Sequence, residues 1–382
     1  MKIVIAMDSL KGSLTSLEAG CAAAEGIRRV FDDAQILIRP MADGGEGTAA
    51  ALTYGRDAVN ETVPVTGPLG QPIEVTYSRF PETGTAVLEM AAAAGLPLVP
   101  AHQRDPLKTT TYGVGELIRD AIHKGCRRFI LGLGGSATND GGVGMLTALG
   151  YDFLDRDSRP IGPGALGLSH LHAISAEHVL PQLKECQFLA ACDVTNPLCG
   201  SQGCSVVFGP QKGADAVMAA SMDQWMARYA SLAKALYPQA DPEAPGSGAA
   251  GGMGFALCAF LGASLRPGIQ MILEETGLEA AIRQADVVIT GEGRMDGQTA
   301  MGKAPAGIAQ AAKRYGKPVL ALVGSVSCDV SSRCQLGIDA VFPILRSPIT
   351  LEEAMEPARA KANMADTAQQ VFRLWSICQA AD

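Results

Sequence analysis

The chain has few aromatic and charged residues, no excess of cations and no long unbroken apolar run. Aromatics make up 5% of the 382 residues, and Asp, Glu, Lys and Arg together make up 18%. With 47% hydrophobic residues and 44 glycines, this excludes a disordered chain and suits closely packed α/β layers. Lys and Arg number 31 against 39 Asp and Glu, a formal charge of −8. A net-acidic chain repels nucleic acid and anionic membrane at long range, so neither is an expected partner. An anionic ligand would have to be held by a few local cations and backbone N–H groups. The ten cysteines include no CxxC pair and read as reduced, small core residues. The opening apolar run is too short for a signal peptide and is interrupted by Asp8 and Lys11, so the cytosol is the expected compartment. The longest uncharged stretch, Ala244 to Leu265, contains six Gly, one Pro and two Ser. It predicts a Gly-rich loop feeding a buried helix, not a membrane span.

Both ends of the chain alternate strand and helix. Lys2 to Ala6, Ile36 to Ile38, Asp286 to Thr290, Val319 to Val323 and Ala340 to Pro343 read as buried strands. Thr15 with Glu18 predicts a capped helix, as does Thr350 with Glu353 at the head of a long final helix. Strands separated by helices imply a parallel sheet. The middle differs: Thr62 to Thr66, Ile73 to Phe80 and Thr85 to Met90 are separated by turn signals, and Ile73, Val75 and Tyr77 alternate with polar residues, the pattern of an antiparallel strand. The expected fold is α/β, with residues 1–60 and 283–382 forming a Rossmann-like parallel-sheet domain and 61–282 an inserted mixed α/β domain. Two consecutive domains are the alternative.

Chemistry collects where strands end. Five apolar strands lead into segments of Asp, Gly, Ser, Thr and Lys: Asp8, Ser9 and Lys11; Asp43, Gly44, Gly45 and Glu46; Gly134, Gly135, Ser136, Thr138, Asn139 and Asp140; Asp193 and Asn196; Gly291, Glu292, Gly293, Arg294 and Asp296. In open α/β sheets ligands sit beyond the carboxyl ends of strands, so these loops are expected to share one cleft. Their content suits phosphoryl transfer, which needs cations and backbone donors for phosphate, carboxylates for Mg²⁺ and a base for the attacking hydroxyl. Lys11, Arg294 and Lys303 are the expected cations. Taken singly, each loop reads equally well as a tight turn or a helix cap.

Gly297 to Ala304 falls one residue short of a P-loop, because Ala304 lacks the Mg²⁺-holding hydroxyl. Gly132 to Ala137 fits the dinucleotide fingerprint and keeps open a nicotinamide-dependent oxidoreductase. His170, His172 and His178 lack supporting carboxylates and read as surface histidines rather than a metal site.

The motifs resemble those of the bacterial glycerate kinases, the type I group that includes the glyoxylate- and galactarate-pathway glycerate 2-kinases. The resemblance covers nearly the whole chain. It rests on Asp8-Ser9 with Lys11-Gly12, Pro40 to Thr48, Thr66 to Gly70, Glu89-Met90-Ala91, Thr109 to Thr111, Gly132 to Gly142, Asp193 to Leu198, Gly209 to Ala214, Gly248 to Gly252, Thr290 to Arg294, Gln298-Thr299 and Gly302-Lys303. Met7 and Leu10 stand where the family has a proline and an aromatic residue, and neither carries polar chemistry. The resemblance implies ATP- and Mg²⁺-dependent phosphorylation of D-glycerate, giving 2-phosphoglycerate, with 3-phosphoglycerate as the alternative product. It also implies a site in a cleft between two domains. On this reading Asp193 is the first choice of base and Asp8 the second, with Asn196 helping to hold Mg²⁺. Asp43, Glu46, Asp140, Glu292 and Asp296 compete as metal ligands. A small-anion receptor without turnover is the remaining rival, and the oligomeric state is not legible.

Overall fold

The computed structural model describes residues 1–42, 44–296, 304–327 and 336–379. The chain folds into two compact units. The first holds residues 1–43, 50–54 and 267–382, and the second holds 44–49 and 55–266. Both are built on sheets with parallel strands, a mixed α/β architecture.

The first unit is built on five parallel strands, in the spatial order Gln35–Ile38, Lys2–Ile5, Val287–Thr290, Val319–Val323 and Ala340–Pro343. Numbered along the chain this order is 2-1-3-4-5, a doubly wound arrangement whose winding reverses between Lys2–Ile5 and Val287–Thr290. Ile3, Ile5, Val287, Ile289, Leu320 and Leu322 pack into one core with the helices Ser16–Arg28 and Pro357–Gln379. The intervening Val4, Val288 and Ala321 are just as buried, so both sheet faces are covered, as parallel strands require. The Thr15–Glu18 capping box forms as its spacing predicts. The one at Thr350 and Glu353 also forms, but it heads a short helix, Leu351–Met355. The expected single long helix is broken at Glu356, because Pro357 disfavours helical backbone in the residue before it and starts a new helix.

The second unit has a six-stranded mixed sheet, in the order Ser264–Arg266, Gln187–Ala191, Arg128–Gly132, Thr85–Glu89, Pro72–Phe80 and Val59–Thr66. The first four strands are parallel, and Pro72–Phe80 runs antiparallel to both of its neighbours, Thr85–Glu89 and Val59–Thr66, as the alternation at Ile73 to Tyr77 predicts. Across the parallel pair, Phe129 stacks on Phe188 with ring centroids 4.8 Å apart. The helix Ala216–Leu236, capped by Asp215, buries Met226 and Tyr229 against this core and Met222 in a separate small cluster with Ala165 and Ala214. Ala244 to Leu265 resolves into a loop and the buried helix Ala249–Leu261, and no described helix is long and apolar enough to cross a membrane.

Candidate active site

In the first unit, three segments leave the carboxyl ends of adjacent strands and are laced together by their backbones. Asp8 N donates to Gly291 O at 2.8 Å, Gly324 N to Glu292 O at 3.1 Å, and Ser325 N to Gly293 O at 3.0 Å. Arg294–Met295 and Ser325–Val326 pair as a short parallel ladder. The approach is close enough that a Cβ on Gly291 would lie 1.9 Å from Leu322 O, so only glycine fits there. Together these segments line a pocket of about 600 Å³ that contains Asp8, Ser9, Lys11, Glu292, Arg294 and Asp296. It sits at the point where the winding of the sheet reverses, where doubly wound folds place their ligands. The Asp8 and Glu292 side chains are buried, and Lys11 and Arg294 are exposed. Asp8 Oδ1 accepts from Ser9 N at 2.7 Å. Arg294 Nε lies 3.9 Å from Asp296 Oδ2. Of the remaining sequence candidates, Asp43, Thr299 and Lys303 lie outside the described residues.

The second unit holds the other cluster. Gly44 has φ +82, and a Cβ there would lie 3.1 Å from Ala191 Cβ and 3.2 Å from Asp193 Oδ2. Glycine therefore lets this turn press against the end of the strand that carries Asp193. Gly134 N donates to Gly44 O at 3.3 Å, which adds the loop after Arg128–Gly132 to the same edge. Asp193 and Glu46 are exposed, and Gly134 and Gly135 reach the surface. Asn196 is half-buried, and its Nδ2 donates to Gln202 O at 2.9 Å.

The rest of the glycine-rich loop turns inward. Ser136, Thr138, Asn139 and Asp140 are buried, and Asn139 Nδ2 donates to Ser205 Oγ at 2.8 Å. Asp140 accepts from Thr111 N and Oγ1, both at 2.8 Å, from Gly142 N at 3.0 Å and from Gly144 N at 3.2 Å. Four donors occupy this carboxylate, so it shapes the loop and is not placed as a metal ligand. The dinucleotide reading of Gly132 to Ala137 meets a similar obstacle. That fingerprint opens directly into a helix, but here the next helix is Val143–Ala148.

Sequence reasoning assigned no site role to Glu89 or Lys212. Glu89 closes the strand Thr85–Glu89 and accepts from Ala49 N at 2.8 Å, and burial pushes its carboxyl above the ordinary value. Lys212 is 1% exposed, and its Nζ donates to Thr138 O at 2.6 Å. A charged residue closing an apolar strand was a readable signal for Glu89. Nothing in the flanking residues marks Lys212 as buried.

Among the described residues, no group of three His, Cys, Asp or Glu side chains is arranged to hold a metal. His178 instead pairs with Asp152 at the surface, 2.7 Å apart. A Mg²⁺ ion carried by phosphates needs only one or two protein carboxylates, and the oxygen donors at these strand ends are of that hard kind.

Comparison with known proteins agrees with this picture. The glycerate kinase family model matches residues 3–376. A glycerate 2-kinase of Escherichia coli (strain K12) is 47% identical over 372 residues, covering 96% of this chain and 98% of that protein. A glycerate kinase of Bacillus subtilis (strain 168) is 47% identical over 361 residues, covering 94% of each. A crystal structure of a glycerate kinase 2 candidate from Salmonella typhimurium LT2 matches with a TM-score of 0.89 at 46% identity, covering 100% of this chain and 99% of that one.

Proposed function

Because the chain belongs to the glycerate kinase family, we propose that it transfers the γ-phosphoryl group of ATP to the 2-hydroxyl of D-glycerate, giving 2-phosphoglycerate and ADP. The choice of the 2-position is supported by the name of the Escherichia coli relative. The observation that carries the chemistry is the exposed Asp193 carboxylate, which stands beside Gly44 where a parallel strand ends. It is exposed and sits next to glycine-bearing turns, which let backbone N–H groups approach an anion.

In this reading Asp193 accepts the hydroxyl proton as the substrate oxygen attacks the γ-phosphorus and the bond to the ADP oxygen breaks. Asp8 is the second choice of base. Lys11 and Arg294 neutralise phosphate or the glycerate carboxylate. Ser9, Gly44, Gly45, Gly134, Gly135, Gly291 and Gly293 supply hydrogen bonds or close backbone approach. Mg²⁺, when bound, would supply further neutralisation of phosphate charge; Asp193 and Asn196 of the second unit are candidates to hold it, and Asp296 of the first unit is another. Consumption of ATP, together with eight free cysteines among the described residues, fits the cytosol.

Replacing Asp193 with Asn tests the assignment. It should lower kcat at least about a hundredfold with a modest change in KM, the scale of losing a general base. Near-normal turnover would remove Asp193 from the role. Glycerate binding without ADP release from the wild-type protein would favour the anion-receptor rival.

A further inference from the structure

The pocket of the first unit has two chemically different sides. One is polar, with Asp8, Lys11, Glu292 and Arg294. The other is an apolar wall formed by Ile344, Leu345, Leu351, Ala354 and Met355. This wall is seated directly on the polar turn, since a Cβ on Gly12 would lie 2.6 Å from Met355 Cε. It is also costly to leave wet: Leu351 is 75% exposed and Leu345 38% exposed. Large apolar side chains exposed at the rim of a cavity mark a surface that a ligand covers.

The two substrates of the proposed reaction differ in how well they match this pocket. About 600 Å³ lies within the roughly 300–1,000 Å³ of sites that enclose a drug-sized ligand. Glycerate is far smaller, carries an oxygen on every carbon and has no apolar face to set against the wall. A nucleoside triphosphate has an aromatic base at one end and a polyanion at the other, the same division as the pocket. We propose that this pocket takes the nucleoside triphosphate, with the base against Leu345, Leu351 and Met355 and the phosphates toward Lys11 and Arg294. The hydroxy acid is then left to the strand-end cluster of the second unit. The inference rests on the ATP-dependent reading above and assigns one of its substrates to a place.

The test combines equilibrium titration with a fluorescent ATP analogue, in the absence of glycerate, with separate KM values for ATP and glycerate. Wild type is compared with Leu351→Asp, whose side chain is exposed enough to tolerate the change, and with Leu345→Ala as a second variant. The expected result for Leu351→Asp is nucleotide affinity weakened about tenfold or more and a matching rise in KM for ATP, with KM for glycerate nearly constant. Leu345→Ala should shift the same two quantities in the same direction. Unchanged nucleotide affinity in both variants, or a rise confined to KM for glycerate, overturns the assignment. Wild-type protein that releases no ADP defeats the functional reading instead, and the titration without glycerate still decides the pocket.

Discussion

Lys212 Nζ donates to the carbonyl oxygen of Thr138 at 2.6 Å, and neither residue is open to solvent. A buried ammonium is costly to keep charged, and burial lowers this lysine from 10.5 to about 8, with Cys204 and Asp140 as the nearby groups that oppose the shift. Between those two values the unfolded chain holds a proton that the folded chain has released. Stability should therefore rise with pH across about 8 to 10.5, by up to roughly 3 kcal/mol in total. Urea denaturation of wild type and Lys212→Met at several pH values in that window isolates the contribution. The wild type should gain on the variant as pH rises, and parallel profiles would assign the titration elsewhere.

Asp140 is a second buried charge with a structural part. Its carboxylate accepts from Thr111, Gly142 and Gly144 and ties the glycine-rich loop to the start of the next helix. Asp140→Ala leaves those donors without a buried partner and should destabilise the protein by about 3 kcal/mol or more. Calorimetry should show the loss, while the Mg²⁺ dependence of the residual activity stays unchanged. A selective rise in the Mg²⁺ requirement with normal stability would return Asp140 to the metal ligands.

Gly44 packs closely against Asp193. An alanine there must hold φ near +82 and place its Cβ 3.2 Å from Asp193 Oδ2. The strain costs about 1–2 kcal/mol, and the carboxylate must shift by a few tenths of an ångström. Gly44→Ala should reduce kcat at least about tenfold, because a base acts only within hydrogen-bonding reach. Full activity in that variant would show that Asp193 does not depend on this contact.

The sequence made the strands easier to locate than their arrangement. Val319–Val323 and Ala340–Pro343 lie where the apolar runs place them, because a strand buried on both faces leaves an unbroken hydrophobic signature. The order 2-1-3-4-5 is not written in any local pattern, since it depends on which crossover returns to which side. The candidate site divides along a similar line. Asp8, Lys11, Glu292, Arg294 and Asp296 follow strands and line one pocket. Thr138, Asn139 and Asp140 are as polar as those residues but are buried, where Ser205 takes up Asn139 Nδ2 and four donors take up Asp140, while Thr138 Oγ1 and Asn139 Oδ1 have no partner among the described residues. Polarity alone does not separate a residue that meets substrate from one that holds a loop. The apolar wall at Leu345, Leu351 and Met355 carries no polar motif and was invisible to motif reasoning for that reason.

The most direct test of the account is the identity of the product. The protein is incubated with ATP, Mg²⁺ and D-glycerate, ADP release is followed, and the phosphorylated acid is examined by proton-coupled phosphorus NMR. Phosphate on the 2-oxygen couples to a single carbon-bound proton and gives a doublet, whereas phosphate on the 3-oxygen couples to a methylene pair and gives a triplet. The account predicts ADP release with a doublet; a triplet contradicts the assigned hydroxyl, and the absence of ADP contradicts the kinase reaction itself.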